Sequence, residues 1–191
     1  MDAHLYRLVN EFQTDTRWLH GVGLFYAKTG GPVLLALLLL AGVAVARRTQ
    51  DLTRVAAAGW AGISTVVAVG LNQPIVKAVD RTRPFLSLHH VHVLGTPSTD
   101  PSFPSDHGTL AGAALAGLFL VDKRLGWTAT AVGLVLGAGR VYVGAHYPGD
   151  VVAGLAFGAA VALAGWFLLR TPLVALVTKL ASTRLRPLLT A

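Results

Sequence analysis

Apolar residues run along this chain in five blocks, 29–46, 55–76, 108–121, 125–139 and 151–169, with no Asp, Glu, Lys or Arg inside any of them. A helix that crosses a bilayer needs about 20 such residues at 1.5 Å rise each. The first, second and fifth blocks meet that length. The third reaches it when extended back through Pro104-Ser105-Asp106-His107, and the fourth when extended forward through Arg140 to His146, which puts polar residues at one end of each span. By length alone this pair also fits a buried hairpin of a soluble protein. Ahead of the first block, Leu5, Leu8, Val9 and Phe12 recur at close to helical spacing, which predicts an amphipathic interfacial helix within residues 1–28, an anchor rather than a site. Asp2, Glu11 and Asp15 in that stretch, with no short basic leader, argue against a cleaved signal peptide.

Composition decides between membrane and soluble readings. Hydrophobic residues make up 53% of the 191 and charged residues only 13%, against roughly 25% charged in an ordinary soluble domain. The reading is therefore all-α: a polytopic membrane helical bundle of about five spans plus the N-terminal amphipathic helix. It forms a single domain, with an interfacial segment 1–28, spans and site in 29–170, and a cytoplasmic tail 171–191. Pairs of glycines four apart, Gly133/Gly137 and Gly154/Gly158, suit close helix packing in lipid. The absence of cysteine removes disulfides, thiolate nucleophiles and cysteine metal sites.

The net charge of +7 fits nucleic acid, anionic lipid or an anionic substrate, and position along the chain separates these. With the N-terminus outside, Arg47, Arg48, Arg54, Lys123, Arg124, Arg170, Lys179, Arg184 and Arg186 face the cytoplasm, as basic residues flanking spans should. Arg7, Arg17, Lys28, Lys77, Arg81, Arg83 and Arg140 then lie outside, and the last four of these belong to chemical clusters. Cations that flank spans leave no case for nucleic-acid binding. The expected topology is N-out and C-in, with the clusters Lys77–Arg83, Ser105–His107 and Arg140–Asp150 all at the outer face.

Those clusters read Lys77-Ala-Val-Asp-Arg-Thr-Arg83-Pro84, Pro104-Ser105-Asp106-His107 and Arg140-Val-Tyr-Val-Gly-Ala-His146-Tyr-Pro-Gly-Asp150. Ionisable groups at membrane depth are functional candidates by default. Cations from separate helices, Lys77, Arg83 and Arg140, suit a dianionic phosphate, although any one of them alone reads as an interfacial snorkelling side chain. His146 with Asp150 has the make-up of an oriented nucleophilic imidazole. The plain alternative is a helix cap by Asp150 beside a solvated His146. Ser105 stands where an N-cap would, so that a helix start offers N–H groups to phosphate, and His107 is placed to protonate a leaving oxygen.

In order and spacing the three clusters resemble the tripartite signature of the type-2 phosphatidic acid phosphatase superfamily: Lys-x6-Arg-Pro, then Pro-Ser-Gly-His, then Ser-Arg-x5-His-x3-Asp. The sequence departs from it in three places. Lys77 is six rather than seven residues before Arg83, which brings Arg81 in as another cation for the phosphate. Asp106 replaces the glycine of the second motif, and Gly139 the serine of the third. Asp106 and the N-terminal layout are similar to the bacitracin-resistance type of undecaprenyl pyrophosphate phosphatase. The resemblance implies catalytic His146 (nucleophile, forming a phosphohistidine), Asp150 (orienter) and His107 (acid). It implies Lys77, Arg83, Ser105 and Arg140 as phosphate ligands, no metal and no cofactor. The implied partners are a lipid pyrophosphate and membrane lipids, at a site facing outward from a bacterial inner membrane. Phosphatidate or phosphatidylglycerophosphate is the runner-up substrate.

Two other readings compete. His89-His90-Val91-His92, with Asp100 and His107 nearby in sequence, invites a metal site. A small transporter or channel subunit would need polar residues at the midplane, and the spans offer few beyond Ser64, Thr65, Thr128 and Thr130.

Overall fold

A computed structural model of the chain describes residues 1–184 and 186–190. Its elements are helices: α1 (Asp2–Asp15), α2 (His20–Phe25), α3 (Gly31–Thr49), α4 (Leu52–Val79), α5 (Pro84–Ser87), α6 (Asp106–Val121), α7 (Lys123–Tyr142), α8 (Pro148–Ala181) and α9 (Arg186–Leu189), with no strand among the described residues. A 3₁₀ turn and a π-helical turn at Tyr26–Gly30 join α2 and α3 to their neighbours, so that 17–49 is one continuous, irregular helical stretch.

The helix starts are written locally. Asp51 accepts from the backbone N–H of Thr53 at the head of α4, and Asp122 from those of Arg124 and Leu125 at the head of α7. Ser105 caps α6 by accepting from the Gly108 N–H at 3.3 Å. All five apolar blocks are helices, and the protein is a multi-pass membrane bundle. By length and hydropathy, three stretches are long enough to cross, Arg17–Thr49, Leu52–Ser87 and Pro148–Ala181. Helix α6, at 16 residues, falls short of that length.

The physical reason lies in where α6 sits. Its block is apolar all round, as suits a helix surrounded by others rather than one with a lipid face. Ala111, Ala113, Ala114 and Leu118 have no exposed surface. Helix α8 packs directly against it, because Gly154 and Gly158 lie over the backbone of Ser105 and Thr109, and a Cβ on Gly158 would run into the Thr109 carbonyl. Leu40, Val66, Phe167 and Leu168 point outward and are 66–78% exposed, as the lipid-facing belt of a membrane bundle requires.

Two segments differ from the sequence reading. Helix α8 does not stop near residue 170 but continues through Pro172 to Ala181, so most of the expected tail is helix. In α1 the buried side chains are polar, Asn10 and Gln13, together with Tyr6, while Leu5, Leu8 and Phe12 are turned outward. The N-terminal helix is thus amphipathic, but its polar face meets the protein.

Candidate active site

The three clusters converge at one end of the bundle. The Ser105 N–H donates to the Asp150 carbonyl at 3.0 Å, which ties the start of α6 to the start of α8. Between α7 and α8 the chain must turn sharply. Gly144 makes that turn with φ +82, and a Cβ there would strike the His92 carbonyl. The turn folds His146 inward to 4% exposure.

Geometry assigns the imidazole's proton. Nδ1 lies 2.9 Å from the Ser102 carbonyl, which can only accept, so Nδ1 carries the hydrogen and Nε2 the lone pair. Nε2 is 3.4 Å from Arg83 Nη1, at the edge of a cavity of about 240 Å³ that His107, Arg140 and Asp106 also line. Burial holds the His146 pKa below its usual value, and the guanidiniums of Arg140 and Arg83 add to this while Asp150 opposes it. The ring is therefore neutral at pH 7, the form in which nitrogen attacks.

Asp150 stands behind this histidine, with no exposed surface. Its Oδ2 accepts from the Tyr147 N–H at 2.9 Å and lies 3.7 Å from His146 Nδ1, so it faces the ring as a charge while Ser102 takes the hydrogen bond. Its Oδ1 accepts from Arg81 at 2.6 Å.

Arg83 is pinned by backbone carbonyls: Nε donates to Asp100 at 2.7 Å and Nη1 to Ala145 at 2.9 Å. Arg140, in the last turn of α7, donates to the Ala27 carbonyl at 3.3 Å, and its buried Nε has no protein partner. A second cavity, of about 390 Å³, shares Arg83, Ser98, His107 and Arg140 with the first and adds Lys28 and Thr96. Together they form one cationic basin in which Nε2 of His146, His107 and the start of α6 face common space.

Of the expected residues, His146, His107, Arg83 and Arg140 line this basin, while Ser105 and Asp150, both fully buried, stand behind it and line neither cavity. Lys77 is exposed and lines neither cavity. Arg81 does not face them either; it is bound to Asp150 and Asp2. Lys28, from the other side of the basin, is a cation that motif spacing could not supply.

Asp106 is held by Asn72 Nδ2 at 2.7 Å and Gln73 Nε2 at 2.9 Å, a polar pair near the end of an otherwise apolar span. That pair was the available signal. The histidine loop is fastened by its backbone, with Asn10 Nδ2 donating to the His92 carbonyl and its Oδ1 accepting from the His92 N–H. Among the described residues no group of three or more His, Asp or Glu is placed to hold a metal ion.

Comparison with known proteins agrees with this architecture. The PAP2 superfamily pattern matches residues 57–174, which takes in all three clusters, and the chain belongs to that superfamily. It is similar to undecaprenyl-diphosphatase BcrC of Bacillus subtilis, 38% identical over 123 residues (64% of this chain, 61% of that protein). It is also similar to lipid A 1-phosphatase of Rhizobium etli, 42% identical over 127 residues (60% of this chain, 50% of that protein). Over a longer stretch of 163 residues it is 30% identical to the bacitracin transport permease protein BcrC of Bacillus licheniformis (85% of this chain, 78% of that protein). The chain thus spans half to three fifths of the length of the first two relatives. No solved structure matches it.

Proposed function

We propose that the protein is a membrane lipid phosphatase that hydrolyses a polyprenyl pyrophosphate such as undecaprenyl pyrophosphate to the monophosphate, through a phosphohistidine on His146. The observation that carries this reading is the neutral Nε2 of His146 opening onto a basin shared by Arg83, Arg140 and His107. Nε2 attacks the terminal phosphorus, and the bond from that phosphorus to the bridging oxygen breaks. The departing lipid phosphate takes the electron pair, and His107 supplies a proton where the leaving oxygen needs one. Water then attacks the phosphohistidine from the same side, His107 accepts its proton, the P–N bond breaks, and inorganic phosphate leaves.

Arg83, Arg140 and the positive end of α6 hold the non-bridging oxygens as charge shifts. The reaction as written uses no metal or cofactor. The site faces the extracytoplasmic side of a bacterial inner membrane, a reading supported by the basic residues that flank the opposite helix ends. Ser64 and Thr65 bond to the Ala61 carbonyl and Thr130 to that of Gly126, each within its own helix, which gives a pore no polar lining.

The lipid A 1-phosphatase relatives support a second reading, removal of a single phosphate from a saccharolipid. The test is phosphate release by purified protein offered polyprenyl pyrophosphate, lipid A, phosphatidate and phosphatidylglycerophosphate side by side. A tenfold or greater preference for any of the others, about 1.4 kcal/mol of transition-state discrimination, replaces the polyprenyl assignment.

A further inference from the structure

Helix α1 carries Asp2, Tyr6, Asn10 and Gln13, spaced so that all four fall on one face. Each bonds to the segment that bears His146 or to the loop beside it. Asp2 Oδ1 accepts from the Gly149 N–H at 2.8 Å, the Tyr6 hydroxyl donates to the Gly144 carbonyl at 3.2 Å, and Gln13 donates to the Tyr142 carbonyl at 2.8 Å. Asn10 brackets His92. A helix that served only as an interfacial anchor would turn this stripe to water. Here Tyr6, Asn10 and Gln13 are buried against the protein with Asp2 half-buried at the stripe's end, and Leu5, Leu8 and Phe12 face away.

The stripe ends in a charge relay. Arg81 Nη2 donates to Asp2 Oδ2 at 2.7 Å and Nη1 to Asp150 Oδ1 at 2.6 Å, with the guanidinium 4.1 Å above the Tyr147 ring. Arg81 on Oδ1 and the Tyr147 N–H on Oδ2 together fix the Asp150 carboxylate with Oδ2 toward His146.

We propose that Asp2 and Arg81 are positioning residues for the reaction at His146, which makes helix α1 part of the active site. Asp2 holds Arg81, Arg81 holds Asp150, and Asp150 so held stabilises the ring as it becomes cationic. This rests on His146 being the nucleophile.

The charges separate this role from a merely structural one. His146 is faced by Asp150 from α8, Arg83 and Asp100 from the 80–102 segment, Asp106 and His107 from α6, and Arg140 from α7. Removing the Arg81 cation leaves Asp150 less damped, so the ring protonates more readily and the acid limb of kcat/KM moves to higher pH. Removing the Asp2 anion does not move it upward. Simple loosening has no reason to distinguish the two.

The experiment measures phosphate release from polyprenyl pyrophosphate against pH with the full chain in detergent. Its variants are Asp2→Asn, Arg81→Gln, Arg81→Lys and His146→Ala, with Glu11→Gln on the exposed side of α1 as control. Asp2→Asn and Arg81→Gln should each lower kcat on the order of tenfold, the scale of lost ligand-orienting contacts. KM should stay within about twofold, Arg81→Lys should recover part of the loss, and only Arg81→Gln should shift the acid limb upward. Unchanged kcat in both, a rise in KM alone, or the same pH shift in both overturns the proposal.

If Arg81→Gln does not fold, Asp2→Asn decides: lowered kcat with unaltered thermal unfolding supports the proposal, and unaltered kcat overturns it. Turnover by His146→Ala defeats the underlying phosphohistidine reading and this proposal with it. An inactive His146→Ala beside wild-type-like Asp2 and Arg81 variants defeats only the positioning role.

Discussion

Replacing Asp150 by Asn keeps the side chain's shape and removes its charge, and the structure lets the cost be worked out. Both carboxylate oxygens accept: Oδ1 from Arg81 at 2.6 Å, Oδ2 from the Tyr147 N–H at 2.9 Å. An amide has one acceptor, so one of these donors must meet an NH₂ group. The larger effect is on His146. As Nε2 bonds to phosphorus the ring becomes cationic, 3.7 Å from Oδ2. At an effective dielectric near 20 a full charge pair at about 4 Å is worth about 4 kcal/mol. Arg81 damps the carboxylate and the ring's charge is only partly developed at the transition state, which brings the loss to about 2–3 kcal/mol, or roughly 30- to 150-fold in kcat.

The assay is steady-state phosphate release from polyprenyl pyrophosphate over a range of pH, with thermal unfolding in the same detergent to establish that the variant is folded. Because the Ser102 carbonyl still accepts from Nδ1–H, the tautomer survives, and KM should change little. A folded Asp150→Asn protein with kcat within about threefold of wild type, beside an inactive His146→Ala, would refute the electrostatic role assigned to this carboxylate.

Other outcomes follow from the same geometry. His107→Ala should harm cleavage of a phosphate monoester more than that of a pyrophosphate, because an alkoxide needs the proton and a departing phosphate needs it less; equal losses on matched substrates would remove His107 as the acid. With the His146 pKa held low by burial, the reactive neutral ring persists below the ordinary histidine range, so the acid limb of kcat/KM should fall below about pH 6.5, and a limb above that value contradicts the buried ring. Arg140→Ala should raise KM at least about tenfold while Lys77→Ala, outside both cavities, stays within about twofold, and the reverse order would move the phosphate site. Single cysteines at positions 95 and 123 of this cysteine-free chain should label from outside and inside respectively, and the opposite pattern would invert the topology.

The helical blocks, their membrane character and most of the candidate residues are legible along the chain. Each of these depends on local order: uninterrupted apolar runs, caps such as Asp51, Asp122 and Ser105, and the short spacing of Arg140, His146 and Asp150. What joins distant parts of the chain was decided only in three dimensions. Spacing paired Asp150 with His146, but folding brought the Ser102 carbonyl to the ring nitrogen from 44 residues away. The apolar residues of α1 drew attention to its lipid side, whereas its polar stripe found partners in the turn beyond α7, more than 120 residues on. Lys77, one residue out of step with the first motif, is exposed and lines neither cavity, while Lys28 belongs to no motif and lines the basin. The physical reason is the same in each case. A buried hydrogen bond or ion pair is satisfied by whichever group packing brings within about 3 Å, and position along the chain does not encode that distance.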